Sequence, residues 1–510
     1  MKSIDIEKKI FDWISEIYIF FIIVLFPLVV DKTGFFHIFE IKWSVYVIVT
    51  SVFIVLCFIT YIFFLIFKKI NYFKEFNFDI VQISALIFLL VNVISYILSP
   101  YRDTHNLIIG VGRGEGLLVS SLYIISFLII SMISRFKKRY LLYFNLSFLF
   151  LNIIAVLQFL GFNPFNMYHS GIGIHNVSFL TTIGNIDFVS AIYCILLAIS
   201  FSCLVFLEDQ KTYEKVIEVA SIFMGFMMIA IMQVASGKLA PFVVLVILVP
   251  FILINNKRFS KAVLIFGIIL LAYGFNLFIN PQYHYDIGKY GLDFNFNIYV
   301  LLIFIVGGVI CYLSYLLKDT NYDLSNKKNL IKYFYYFIGI CGVLCIIVLY
   351  FYSPPIDMLN EIHELLHGNF DDNFGTYRIF LWRRTFKIIP DYFWFGTGPD
   401  AFAIPFMARF TEDIKMLNED FAINDTAANI YLTIFVNLGV FGFISYLFFI
   451  GVQIYEGIKK MNKYSYILLI GIVCYCINAF FNLSVVIVSP IFWILMAVHD
   501  SCLSLKIDDD

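Results

Sequence analysis

The side chains best suited to chemistry in this chain are a few arginines and carboxylates set among apolar sequence. Arg378, Arg383 and Arg384 fall with Lys387 on one predicted helix, whose apolar face is Ile379, Trp382, Thr385, Phe386 and Ile389. A guanidinium is a planar fork of N–H donors that fits phosphate oxygens in pairs. Arg378 and Arg383 are therefore candidates to hold a diphosphate, while Arg384 and Lys387 read as a solvated or headgroup-touching face. A second cluster is Gly112-Arg113-Gly114-Glu115-Gly116-Leu117. Glycines let backbone approach closely, and an Arg and a Glu beside bilayer-length sequence are costly unless paired or used. No strand precedes it, so it is no dinucleotide or phosphate-loop signature. A tight turn in which Glu115 holds Arg113 explains it equally well.

Three further positions carry weaker signals. In Ser178–Phe188, Asn185 and Asp187 open an apolar run, and helix capping alone accounts for them. Lys238 follows Ser236-Gly237; snorkelling to headgroups explains it as well as substrate binding does. Asp425 and Asn429 are about one helical turn apart and can face one cavity, or simply cap the next helix. The 9 cysteines lie in or beside apolar runs and have no metal-ligand spacing with histidine, so no metal or cofactor is expected.

The elements that must position these groups are membrane spans. A chain of 510 residues with 61% hydrophobic and 14% charged residues, and mean hydropathy +0.89, excludes a soluble domain. Apolar runs near bilayer length recur from end to end, and backbone in lipid must bond internally. Strand alternation is absent, which excludes a barrel. The expected fold is all-α, a polytopic transmembrane helix bundle of about 12–14 spans. Candidate spans begin near Trp13, Trp43, Ile80, Leu117, Tyr140, Phe188, Val216, Leu239, Ala262, Phe296, Tyr333, Asn429, Tyr464 and Ser484. The first has no small-residue cleavage site after it and reads as a retained span.

Charge sets the orientation. Lys68, Lys69, Lys74, Arg135, Lys137, Lys138, Arg139, Lys257, Arg258, Lys261, Lys327, Lys328, Lys332, Lys459, Lys460 and Lys463 fall in alternate turns. Roughly 23 Lys and Arg then lie inside and roughly 12 outside, which makes both termini cytoplasmic. Net charge −1 gives no sign of a nucleic-acid partner. One domain, 1–510, is expected, with residues 353–427 as a large extracytoplasmic loop where function concentrates. Within it, helices are predicted over Ile356–His367 and from a Thr376 cap to Ile389, stopped by Pro390. A glycine-rich turn, Trp394–Asp400, follows, and a polar stretch, Thr411–Asp425, leads to the next span.

Several segments together resemble the O-antigen ligase-like membrane glycosyltransferases. They are Ser99-Pro100-Tyr101-Arg102-Asp103 with Gly112–Leu117, Thr182-Ile183-Gly184-Asn185, Gly375-Thr376-Tyr377-Arg378 with Trp382, Gly396-Thr397-Gly398-Pro399-Asp400, and Asn429-Ile430-Tyr431-Leu432 with Gly439 and Gly442. They cover about a quarter of the chain. The resemblance implies a GT-C-like bundle, a polyprenyl-diphosphate-linked glycan donor, and a hydroxyl acceptor on a glycan, lipid or protein. Transfer would occur at the outer face of the cell membrane without metal, among membrane lipids. Exterior arginines would grip the diphosphate, and a histidine before the Asn-x-Tyr-Leu stretch would act as base.

Here the chain departs from the pattern: Asp425-Thr426-Ala427-Ala428-Asn429 has Ala428 at the histidine position, and Lys238 stands where an arginine is usual. Three explanations follow: an inactivated His-to-Ala form, a variant that uses Asp425 or Glu115 instead, or a protein that binds the glycan without transferring it. On this reading Arg378, Ala428, Asp425 and Asn429 mark the catalytic positions. Arg113, Glu115, Asn185, Lys238 and Arg383 would bind substrate. The alternative classes are a lipid-linked glycan flippase or transporter and a non-catalytic glycan-binding membrane protein. A transporter predicts charge deep in broken helices, whereas these charges lie at span ends.

Overall fold

The computed structural model describes residues 2–68, 78–167, 181–232, 234–284, 289–318, 320, 328–355, 357–417 and 425–503. Lys69, Lys74, Lys327 and the 178–180 end of the Ser178–Phe188 segment lie outside them. Among the described residues, twelve helices are long and apolar enough to cross a membrane, and two shorter apolar helices join them. The helices in chain order are α1 (Lys2–Phe20), α2 (Ile38–Lys68), α3 (Ile80–Leu98), α4 (Leu117–Ile133), α5 (Arg139–Phe159), α6 (Ile186–Phe206), α7 (Thr212–Met232), α8 (Ala235–Ile252) and α9 (Asn256–Phe278). There follow α10 (Ile298–Leu317), α11 (Lys328–Phe351), α12 (Asp357–Leu366), α13 (Arg378–Ile388), α14 (Ala403–Leu417), α15 (Ile430–Lys459), α16 (Lys463–Asn478) and α17 (Ser489–Leu503). This is the expected all-α polytopic bundle, and a helix answers each apolar run.

Helix α6 is apolar all round and stands at the centre, buried from Phe188 to Phe206, as such a helix must. It packs against α5, α7, α8 and α16, while α15 lies along α3 and α4 along α17. At one end of the bundle, Glu16 accepts from Lys137 (2.8 Å), Arg139 (2.7 Å) and the Tyr143 hydroxyl (2.9 Å), and Asp12 accepts from the Arg135 amide (2.8 Å). The glycine-rich segments gather at the other end.

Several details differ from the sequence expectation. Ile279–His284 and Lys289–Phe294 pair as two short antiparallel strands in an otherwise helical chain. Thr376 does not cap α13: Tyr377 holds that position, and both residues are left-handed (φ 57° and 65°). Helix α14 takes in residues 411–417 of the polar stretch Thr411–Asp425, and residues 418–424 of that stretch lie outside the described residues. The first span is broken, too: a π turn over 21–25 and a 3-10 turn containing Pro27 precede its end. Fully buried Lys42 of α2 donates to the carbonyls of Phe26 (3.1 Å) and Pro27 (2.8 Å) near the end of that span, a cation where a helix C-terminus favours one.

The most consequential break is in α15. Gly439 has φ 68° and ψ −171°, a region essentially restricted to glycine. The carbonyls of Val436 and Asn437, freed by the break, accept from the amides of Thr397 (2.9 Å) and Gly398 (2.8 Å), and Val440 donates to the Phe393 carbonyl (2.7 Å). The 393–398 turn thus supplies the backbone partners that the broken helix lacks. A Cβ on Gly439 would sit 2.3 Å from the Trp394 carbonyl oxygen. Gly439→Ala is therefore expected to destabilise the protein by about 3 kcal/mol or more. Thermal unfolding in detergent measures this, and an unchanged midpoint would contradict the account.

Candidate functional site

The loop between α3 and α4 is built around a carboxylate it does not contain. Asp400, 7% exposed, accepts from the backbone N–H groups of Gly112 (3.2 Å), Arg113 (3.1 Å) and Glu115 (3.2 Å). The Val111 amide also donates to the Asp400 carbonyl (3.2 Å). Gly110 has φ +106°, and a Cβ there would fall 2.2 Å from Asp400 Oδ2, so the glycine makes the wrap possible. Trp43 Nε1 fixes the loop's far side by donating to the Gly114 carbonyl (2.8 Å). Burial pushes the Asp400 carboxyl up to about 7, against the pull of the Arg113 amide.

The loop's own charged side chains diverge. Arg113 Nε lies 2.7 Å from Asp425 Oδ2, so the arginine pairs with the long segment. Glu115 instead accepts from the hydroxyls of Tyr123 (2.8 Å) and Ser489 (2.9 Å). Burial raises the carboxyls of both Glu115 and Asp425, and Arg113 opposes the rise at Asp425.

Residues 425–429 are not helical. Asn429 caps α15 by accepting from the Leu432 amide (3.1 Å). Ala428 is left-handed at φ 48°, and the Ala427 carbonyl accepts from Trp382 Nε1 (3.0 Å). Asp425 and Asn429 therefore do not share one helix face. A cavity of about 90 Å³ opens beside them, with Glu115, Asp400, Thr426, Asn437, Ser484 and Trp493 in its wall.

Arg378 begins α13. Its guanidinium donates twice to the Phe481 carbonyl (Nε 3.1 Å, Nη2 2.9 Å) and once to Gly375 (2.9 Å), within electrostatic reach of Asp187. Asn482, next to Phe481, donates to the Asp187 carbonyl (2.8 Å). Arg383 is turned to the surface, bonded to the Phe370 carbonyl (3.1 Å) and Asp372 (3.0 Å). Arg384 bridges Asp372 and Asp413 and lies over the Phe380 ring.

Asn185 is exposed and caps α6 through the Asp187 amide (2.8 Å). Lys238 is exposed on the first turn of α8, which packs beside the start of α6 through Gly237 and Ser190. The structure thus joins Arg113 to Asp425, sets Glu115 in the cavity wall, and brings Arg378 to the α16–α17 junction. Arg383, Asn185 and Lys238 are not in that wall. Sequence reasoning quoted Gly396–Asp400 without giving Asp400 a task, and it missed Asn437, Tyr123, Ser484 and Ser489. A carboxylate directly after Gly-Thr-Gly-Pro was the available signal for Asp400.

A helical bundle with bilayer-length apolar helices, and polar segments folded into one another at one end, defines a multi-pass membrane protein. Residues 297–447 match the family model described as O-Antigen ligase, which supports an O-antigen ligase-like family and a membrane glycosyltransferase in general. The matched stretch holds Arg378, Asp400, Asp425, Ala428, Asn437 and the α15 break; Arg113 and Glu115 lie outside it. A comparison with curated proteins gives no match.

Proposed function

We propose that this chain moves a glycan from a polyprenyl-diphosphate donor to a hydroxyl acceptor at the outer membrane face, with both termini cytoplasmic. The observation that carries the reading is the Arg113–Asp425 pair, 2.7 Å apart, which fastens the α3–α4 loop to the long segment beside the cavity. In this reading Arg378 and Arg113 neutralise charge that grows on the leaving diphosphate, as fixed donors do. Three of the five Arg378 N–H groups are held by carbonyls, which leaves others to meet phosphate oxygen. Asp425 holds Arg113 in place, and Asn429 fixes the turn that carries Ala428. Lys238, Arg383 and Asn185, exposed at the same end, add potential and polar contacts that attract and seat the anionic head.

A second reading is supported by Ala428. Its φ of 48° is a conformation in which histidine is enriched and alanine strained, consistent with an inactivated His-to-Ala form. One experiment separates the two: purified protein in liposomes, with sugar-labelled lipid-linked glycan extracted from the producing cell. We expect the chain as it stands to transfer label, and Ala428→His to change the rate by less than about tenfold. A rise of about 10²- to 10⁴-fold in Ala428→His supports the second reading. Donor binding without transfer in either form would indicate a glycan-binding protein.

A further inference from the structure

The cavity beside the α15 break holds one group that nothing among the described residues satisfies. Asn437 is 9% exposed, and its side-chain oxygen is buried without a hydrogen-bond partner among the described residues. Its backbone cannot move to relieve this, because the Asn437 carbonyl already accepts from the Gly398 amide (2.8 Å) and the Ser95 hydroxyl (3.1 Å). A buried acceptor left unpaired is unfavourable by about 1–3 kcal/mol, so the site calls for a donor from outside. The space, about 90 Å³, is several times the ~10–15 Å³ that one water needs. Its wall combines hydroxyl and carboxyl groups with the aromatic side chains of Phe88, Tyr446 and Trp493, the mixture that suits a sugar ring with its hydroxyl edges and apolar face.

Two carboxyls face this space, and their commitments differ. Asp400 takes three backbone amides, which cannot turn away. The partners of Glu115 are the hydroxyls of Tyr123 and Ser489, with Ser484 bonded to Ser489 at 2.9 Å. Hydroxyls rotate and both give and take protons. Resting on the glycan-transfer reading, we propose that this cavity receives the acceptor sugar and that Glu115 takes the proton from its attacking hydroxyl. The hydroxyl oxygen bonds to the anomeric carbon of the donor as the bond from that carbon to the diphosphate oxygen breaks. The bonding pair leaves on the diphosphate, and the hydroxyl proton goes to the Glu115 carboxylate. The Ser489 and Ser484 hydroxyls then return it to solvent. Asn437 accepts from a neighbouring sugar hydroxyl and orients the ring.

The test uses full-length protein in liposomes, labelled lipid-linked glycan from the producing cell, and increasing amounts of that cell's membrane extract as acceptor source. Glu115→Gln keeps the shape and is expected to lower the maximal rate by about 10²- to 10⁴-fold, with donor binding retained. Glu115→Asp recovers part of that rate, which a purely structural role does not predict. Asn437→Leu raises the half-saturating amount of acceptor more than it lowers the maximal rate. Transfer by Glu115→Gln within about threefold of the parent rate overturns the Glu115 assignment alone. No transfer by the parent chain overturns the glycan-transfer reading and this inference with it. An unchanged acceptor requirement in Asn437→Leu means the cavity holds water only, and overturns the acceptor site.

Discussion

Arg378→Ala is expected to lower glycan transfer by about 10²- to 10³-fold, the usual loss when one fixed donor to a developing anion is removed. The guanidinium is held in one orientation by the Phe481 and Gly375 carbonyls, so its remaining donors are fixed before substrate arrives. The same bonds tie α13 to the junction of α16 and α17, where Trp382 also lies against Phe480 and Phe481. Arg378→Lys keeps the charge but presents a single ammonium in place of the planar fork, and is expected to recover only a fraction of the rate. Lys387→Ala, on the exposed side of the same helix, is the control and should transfer normally. The assay is label transfer in liposomes, with limited proteolysis to report loosening of the long segment. Full activity in Arg378→Ala removes this arginine from the mechanism.

Asp400→Leu is expected to destabilise the protein by about 3 kcal/mol or more, because three part-buried amides lose their acceptor at once. The damage should be local first. The amides belong to the loop that carries Arg113 and Glu115, so the loop loses its centre before the helices separate. Asp400→Asn retains one carbonyl oxygen and should lose less. Thermal unfolding gives the global effect, and Trp43 fluorescence reports the loop through its bond to the Gly114 carbonyl. A loss below about 1 kcal/mol in Asp400→Leu would mean that water replaces the carboxylate and the loop is not organised by it.

The bundle was legible in the sequence because each span is a local, nearly continuous apolar run, and lipid leaves such a run no other regular structure. The span read as beginning near Phe188 is a helix for the same reason, while its burial all round depends on the helices packed against it. Non-local pairing is what could not be read. Arg113 and Glu115, two residues apart, looked like partners, yet the glycine loop turns them to opposite sides and Asp425 takes the arginine. Gly439 was noticed as part of a motif, but its break depends on amides some forty residues earlier in the chain, and no periodicity announces that. Lys42 had a signal that went unused: a lone cation inside an apolar run, with Pro27 in the preceding span. The link between Ala428's position and a left-handed turn is likewise a property of the folded chain, invisible in the letter.

The interruption of α15 also fixes a depth. From Val440 to Lys459 the helix runs about 30 Å at 1.5 Å per residue, which matches the hydrocarbon thickness of a bilayer. With the lysine end at one boundary, Gly439 falls at the opposite boundary, and Ile430–Leu438 stands among the headgroups. Ile430, Thr433, Ile434, Asn437 and Leu438 all line the chamber, so it opens at the level where a lipid's phosphates float while its tail stays in oil. A substrate anchored by such a tail would meet these residues by drifting sideways in the plane of the membrane, with no need to be lifted out of it.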